Sequence, residues 1–222
     1  MVEAWIAGLF AGYLIGSIPV GLWVGKYLVG VDVRAGGSGK IGATNAFRRL
    51  GLRWSVLVFG ADVAKGVIPV VIMRVAFDSP AAEVIAALAT VIGHIYPLYA
   101  NFRGGRAAAT GFGALLIMSP PGAALAIGVA IVVLGLTRIM SLSVLLGMSV
   151  GGFLHGMSIA HTNDADAYLG FSVGAWLIIA VAHRDNIARL LAGTERILGR
   201  PDPNAAPPDG EQPVSGAQTA GD

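Results

Sequence analysis

Residues 34–49 read RAGGSGKIGATNAFRR, and the side chains there that could do chemistry are Ser38, Lys40, Asn45 and Arg48, set among Gly36, Gly37, Gly39 and Gly42. Such a stretch suits an anion. Glycine lets backbone N–H groups turn toward one point, and an arginine offers paired donors that match a phosphoryl group. Two further stretches repeat the combination. GHIYPLYANFRGGRAAAT, residues 93–110, carries His94, Arg103, Gly104, Gly105 and Arg106, and HRDNIARLLAGTE, residues 183–195, carries His183, Asn186 and Glu195. Together they read as one phosphate-binding pocket drawn from distant parts of the chain. Each cation taken singly has another reading, contact with anionic lipid head groups.

Other residues narrow the chemistry. The first stretch is not a nucleotide P-loop: counting back from Gly39-Lys40, Arg34 stands where that motif needs glycine, and Ile41 where it needs Ser or Thr. No cysteine is present, so thiolate nucleophiles, thiolate metal sites and disulfides are excluded. His161 and Asp166 have a spacing in which a carboxylate can orient an imidazole base, but they fall on the face opposite the basic stretches and read as an ordinary polar loop. His94 closes the apolar run VIAALATVIG just before Tyr96-Pro97. A titratable group at a membrane boundary is a functional candidate, or else a hydrogen-bonded histidine at a helix end. Asp62 and Lys65, three apart, share a helix face and can pair, with packing or snorkelling as sufficient reason. His183-Arg184-Asp185-Asn186 either closes over a pocket or caps a helix.

The elements that must position these residues are membrane helices. Of 222 residues, 55% are hydrophobic and 13% charged, and the mean hydropathy is +0.72, outside the range of water-soluble domains. Seven apolar stretches run about 3–25, 60–77, 82–99, 107–118, 121–137, 140–157 and 167–182. The fourth falls clearest below the roughly 20 residues a span needs, which predicts short, tilted or partly re-entrant helices. The first stretch carries Glu3 where a signal peptide needs positive charge, and reads as a retained span. With the N-terminus outside, 13 of the 15 Lys and Arg fall on the cytoplasmic side, in 26–53, 103–106, 138 and 184–200, as the positive-inside rule requires. Residues 201–222 lack any apolar period and read as a disordered cytoplasmic tail. The expectation is an all-α, polytopic membrane protein of about seven spans, with one domain over 1–200, N-terminus outside and C-terminus cytoplasmic.

In this order the stretches resemble the bacterial acyl-phosphate:glycerol-3-phosphate acyltransferases of the PlsY type. The resemblance begins at Gly16-Ser17-Ile18-Pro19 and continues through Asp32-x-Arg34-x2-Gly37-Ser38-Gly39-x2-Gly42-Ala43-Thr44-Asn45-x2-Arg48 and Asp62-x2-Lys65-Gly66. It resumes at Gly93-His94-x2-Pro97, Phe102-x-Gly104-Gly105 and Arg138-x2-Ser141-Leu142, and ends at His183-Arg184-x-Asn186-Ile187 and Gly193-x-Glu195. It implies seven helices in the bacterial inner membrane around a cytoplasm-facing site, and transfer of a fatty acyl group from acyl phosphate to the sn-1 hydroxyl of glycerol 3-phosphate. Neither cofactor nor metal is implied, and no nucleic acid. Implied partners are membrane lipids, the two substrates and the acyltransferase that forms the donor. Catalytic roles carry over to Ser38, Arg48, His94, His183 and Asn186. Substrate contacts carry over to Gly37, Gly39, Lys40, Asn45, Arg103, Gly104, Gly105 and Arg106, with Glu195 structural.

The residues suit that chemistry. Phosphate is a weakly basic leaving group, so positioning and charge stabilisation can carry most of the rate. Backbone N–H groups around Ser38 with Arg48 would hold one phosphate, and the Gly104-Gly105 turn with Arg103 and Arg106 another. His94, His183 and a substrate phosphate oxygen are rivals for the hydroxyl proton. Two positions depart from the family pattern: Lys40 stands for Asn, and Arg106-Ala107-Ala108 for Lys-Gly-Val. They keep open a divergent paralogue with weaker activity or another phosphorylated acceptor. A transporter using the same pocket without this chemistry is the rival class, and midplane charges would mark it.

Overall fold

The computed structural model describes residues 1–159 and 165–200, and among them all regular structure is helical. The helices are α1 (Val2–Gly16), α2 (Val20–Trp23), α3 (Ala43–Leu50), α4 (Leu52–Phe77), α5 (Pro80–Ile95), α6 (Ala108–Met118), α7 (Pro120–Thr137), α8 (Met140–Ile159), α9 (Ala165–Ala182) and α10 (Arg184–Leu191). Each apolar stretch of the sequence is mostly helical. Five segments are long and apolar enough to cross a membrane: Val2–Val29, Leu52–Phe77, Pro80–Ala100, Pro120–Thr137 and Met140–Met157. A sixth results if α9 and α10, bent by 66° at their junction, count together. The eleven-residue α6 is the short member anticipated by its length.

Two boundaries differ from the sequence reading, each for a local reason. The first span is broken, because Pro19 lacks an N–H and fixes φ, which ends α1 before Ser17-Ile18-Pro19. The chain restarts as α2, runs into a π-helical turn over Val24–Val29 and stops at Gly30 with φ 76. The second span begins at Leu52 rather than near 60. A hydropathy window stops at Arg53, but the helix does not, since the guanidinium folds back over the Trp54 ring at 5.0 Å. Between these spans the basic loop contains α3, whose inner face buries Asn45 and Ala46 while Phe47 and Arg49 face outward.

Small residues draw the helices close, as expected where lipid tails offer no hydrophobic drive for association. Gly8, Gly12 and Gly16 set one stripe of α1 directly against the backbone of Ala82, Ala86 and Thr90 on α5. Gly147 and Gly151 of α8 meet Gly122 and Ala126 of α7. Between them Val70, Leu115, Ala126 and Phe171 form the largest buried cluster, with α6 packed against α4 and α7. α4 and α7 form no packed interface with each other. At the bundle end away from the basic stretches, Arg74 donates to Glu83 Oε2 at 2.7 Å and Oε1 at 3.1 Å and to the Ile117 carbonyl at 3.3 Å. Tyr168 donates to the same carboxylate at 3.4 Å.

Candidate active site

The loop before α3 is organised by one amide. Asn45, 2% exposed, accepts from the Ser38 N–H at 2.9 Å. Its own amide donates to the carbonyls of Val33 (2.7 Å), Lys40 (2.8 Å) and Gly36 (3.3 Å). Gly37 and Gly39 take φ of 61° and 67°, a region closed to most side chains, and the Gly39 N–H donates to the Gly36 carbonyl at 3.1 Å. The anion nest expected around Ser38 is therefore filled from within: two of its N–H groups serve the loop. Gly37 and Gly39 are exposed and shape the turn, Gly37 leaving room for the Asn45 amide oxygen, and Ser38 lines the cavity beside them. Arg34 is engaged by Asp32, whose carboxylate it holds down to about 2 through paired hydrogen bonds of 2.8 and 3.1 Å.

The three basic stretches meet in one cavity of about 420 Å³. Ser38, Lys40, Asn45 and Arg48 come from the first, His94 and Arg106 from the second, and His183, Asn186 and Glu195 from the third, all on its wall. Arg103, Gly104 and Gly105 are elsewhere. Arg103 is exposed outside the cavity. Gly104 packs on the carbonyls of His94 and Ile95, and a Cβ on Gly105 would collide with the His94 imidazole. The Gly105 N–H is used by the His94 carbonyl at 3.0 Å. This turn makes room for the His94 ring, and of the group only Arg106 lines the cavity. Ala107 follows at φ 58 and ψ 15, keeping a left-handed conformation without a glycine.

Charge is concentrated at the polar end. Burial, followed by repulsion from Arg189, lowers Arg106 to about 10, and burial followed by Arg106 holds Lys40 below the ordinary lysine range. Cations so placed lose solvation and repel each other, and an anion relieves both costs. Arg106 Nε, Asn186 Oδ1 and Ser141 Oγ are buried there without a protein partner. The third stretch is braced by Glu195, which accepts from Asn186 Nδ2 at 2.7 Å and from Arg189 Nε at 2.8 Å. The Leu198 N–H donates to the Arg138 carbonyl at 2.8 Å, tying the turn after α10 to the α7–α8 link.

The sequence reading passed over Asp62, Lys65 and Ser141 as site residues. Asp62 and Ser141 line the cavity. Lys65 Nζ lies 2.9 Å from Asp62 Oδ1, and both are buried. The signal was present: an ionisable pair inside an apolar span is costly unless it serves the fold or the site. Away from the cations the wall turns apolar, with Leu52, Val56 and Phe59 on α4, Phe112 on α6, Ile127 and Ala130 on α7 and Val144 on α8. Leu52, Val56 and Phe59 are 67%, 61% and 42% exposed, so the cavity opens sideways between α4 and α7. His161 lies outside the described residues, and Asp166 is exposed in the first turn of α9.

A polytopic helical membrane protein whose cavity joins a cationic head to a laterally open hydrocarbon groove is of the class that handles phosphorylated, lipid-like molecules at the bilayer. The sequence matches the glycerol-3-phosphate acyltransferase family over residues 6–193. It is 43% identical over 194 residues to a glycerol-3-phosphate acyltransferase of Anaeromyxobacter sp., covering 84% of this chain and 92% of that one. It is 37% identical over 193 residues to one of Prochlorococcus marinus, covering 87% and 98%. The crystal structure of PlsY (YgiH), an integral membrane glycerol 3-phosphate acyltransferase, superposes in its glycerol 3-phosphate form with a TM-score of 0.80, at 35% identity and over 89% of this chain and 96% of that one. Its lysophosphatidic acid form gives 0.77 over the same shares. The chain belongs to the glycerol-3-phosphate acyltransferase family, and it is a multi-pass membrane acyltransferase.

Proposed function

We propose that the protein transfers a fatty acyl group from acyl phosphate to the sn-1 hydroxyl of glycerol 3-phosphate, releasing lysophosphatidate and inorganic phosphate. The observation that carries this reading is the cavity itself, in which a cationic end lined by Lys40, Arg48 and Arg106 adjoins an apolar wall of α4, α6, α7 and α8 residues. Such a shape suits a donor with hydrocarbon at one end and a phosphoryl group at the other, beside an acceptor that brings a second phosphate. Solved forms of the related PlsY with glycerol 3-phosphate and with lysophosphatidic acid support the acceptor and the product.

The residues divide the work. Arg48, Lys40 and Arg106 neutralise the two phosphates, and Ser38 and Asn186 orient the reacting groups. The acceptor oxygen bonds to the acyl carbon, the bond from that carbon to the phosphate oxygen breaks with its electron pair leaving with phosphate, and the hydroxyl proton goes to His94, His183 or a substrate phosphate oxygen. Because that leaving group is stable, fixed charge and position supply most of the barrier reduction. In this reading residues 1–200 form one transferase unit of the bacterial inner membrane, with the site facing the cytoplasm, the N-terminus outside, and an acyl-phosphate-forming acyltransferase supplying the donor.

The test is direct. Purified protein given palmitoyl phosphate and glycerol 3-phosphate releases inorganic phosphate and forms lysophosphatidate. Ser38→Ala or Arg48→Ala lowers the rate by roughly 100-fold or more, and His161→Ala leaves it unchanged. Product formation that survives both site changes, or that disappears with His161, would overturn the assignment.

A further inference from the structure

Arg103, a phosphate contact by resemblance, stands exposed outside the cavity. Among the described residues no carboxylate pairs with it. It closes a turn, residues 96–103, in which Tyr96, Leu98, Tyr99 and Phe102 are all exposed. The one small member goes the other way: Ala100 is buried with Leu22, Val33 and Ile41.

The turn is braced throughout. The Pro97 carbonyl accepts from the N–H groups of Ala100 at 3.1 Å and Phe102 at 2.9 Å, and the Ala100 carbonyl accepts from the Arg103 N–H at 3.1 Å. The Tyr13 hydroxyl of α1 donates to the Tyr96 carbonyl at 3.0 Å. At its far side Gly104 packs on the carbonyls of His94 and Ile95, and the His94 ring is itself set, with Nδ1 3.5 Å from Asp62 Oδ1 and 3.2 Å from Thr110 Oγ1. Asn101 and Phe102 take φ of 53° and 59°, a left-handed region that a phenylalanine rarely enters. A fixed turn that holds a phenyl ring outward through disfavoured backbone displays that ring to something.

Depth identifies what it meets. Helix α5 has 16 residues, about 24 Å at 1.5 Å each, against a hydrocarbon thickness of about 30 Å. The turn therefore completes the crossing and lies at the membrane boundary, where aromatic rings collect and arginines meet anionic head groups. Its surface also continues that of the span, since Ile92, four residues before Tyr96, is exposed, and Pro80–Ala100 reads as one apolar crossing.

We infer that residues 96–103 form an interfacial anchor for an anionic lipid surface. Tyr96, Leu98, Tyr99 and Phe102 seat among the outermost acyl segments, and Arg103 pairs with a lipid phosphate. The same short stretch then delivers Arg106 to the cavity wall, three residues beyond the anchor. The inference goes beyond the transferase reading and does not depend on it.

The chain has no cysteine, so single spin labels can be placed on the full protein without background. Tyr99→Cys and Phe102→Cys are labelled and reconstituted in vesicles of phosphatidylcholine alone or in equal parts with phosphatidylglycerol. Ile131→Cys, exposed midway along α7, and Thr194→Cys, exposed beyond α10, mark lipid and water. Relaxation by oxygen against a water-soluble nickel chelate is then compared. The expected result is a ratio of oxygen to nickel access at 99 and 102 well above that at 194. Adding Arg103→Gln to Phe102→Cys lowers the ratio in the anionic vesicles and leaves it unchanged in the neutral ones. Two label positions guard against one substitution disturbing the turn, and equal thermal midpoints verify the fold. Labels at 99 and 102 as open to nickel as the one at 194 overturn the inference and leave this face to solvent or a soluble partner. A ratio that ignores Arg103 in anionic vesicles overturns the assignment of the arginine to a lipid phosphate.

Discussion

Glycine 105 earns its place through the residue it touches: the His94 ring occupies the volume a methyl group would need. Gly105→Ala must push the imidazole away from Asp62 and Thr110, so the acylation rate measured on folded protein falls by at least tenfold with little change in global stability. Ala107 poses the opposite case, an L residue held at φ 58 with 1% exposure. Left-handed geometry costs roughly 1–2 kcal/mol, and a buried methyl returns about 0.8 kcal/mol. Ala107→Gly therefore leaves stability within about 1 kcal/mol by thermal unfolding, while Ala107→Val, β-branched in the same conformation, costs about 2 kcal/mol or more and lowers the rate by moving Arg106. Asn45 teaches a related lesson, since its four contacts spend the loop's hydrogen-bonding capacity inside the loop.

Among the elements, the clasp of Arg74 and Glu83 joins α4, α5 and α6 far from the cavity. Glu83 is 3% exposed, so Arg74→Met strands a buried carboxylate and costs roughly 3 kcal/mol. Adding Glu83→Gln recovers most of it, and paired melting curves, with acylation rates per folded molecule unchanged, check both statements. The helices themselves were legible, because an apolar stretch at a bilayer has few alternatives to helix. Their ends were not, since Arg53 and the Ser17-Ile18-Pro19 break obey side-chain folding and proline geometry rather than hydropathy. That the three cationic stretches meet at one cavity was legible from their shared composition. What could not be read was which small residues make space: that Gly105 leaves room for the His94 ring appears only once α5 and the turn are seen together. Asp62 was equally hidden, because its meaning depends on α5 lying across α4.

For the molecule as a whole, crowding of Lys40, Arg106 and their neighbours makes the basic end an electrostatic cost that anion binding offsets. Phosphate should raise the thermal midpoint of the natural protein more than an equal concentration of chloride does, and Arg106→Gln should erase most of the difference. The sign with pH follows from Arg106 at about 10. It is lowered from its usual range, so its charge opposes folding until it deprotonates near that pH. Phosphate binds only the charged form tightly, so its dissociation constant, read by calorimetry, rises by up to about tenfold per pH unit above 10.

The gap between α4 and α7 has a consequence for traffic. With the acyl-phosphate donor proposed above, a slot open along the bilayer would let an oily donor arrive and a single-chain product depart through the apolar side, while the freed inorganic ion would leave by the polar end. The two products of one such turnover would then part into different phases, and back-reaction would require both to return at once.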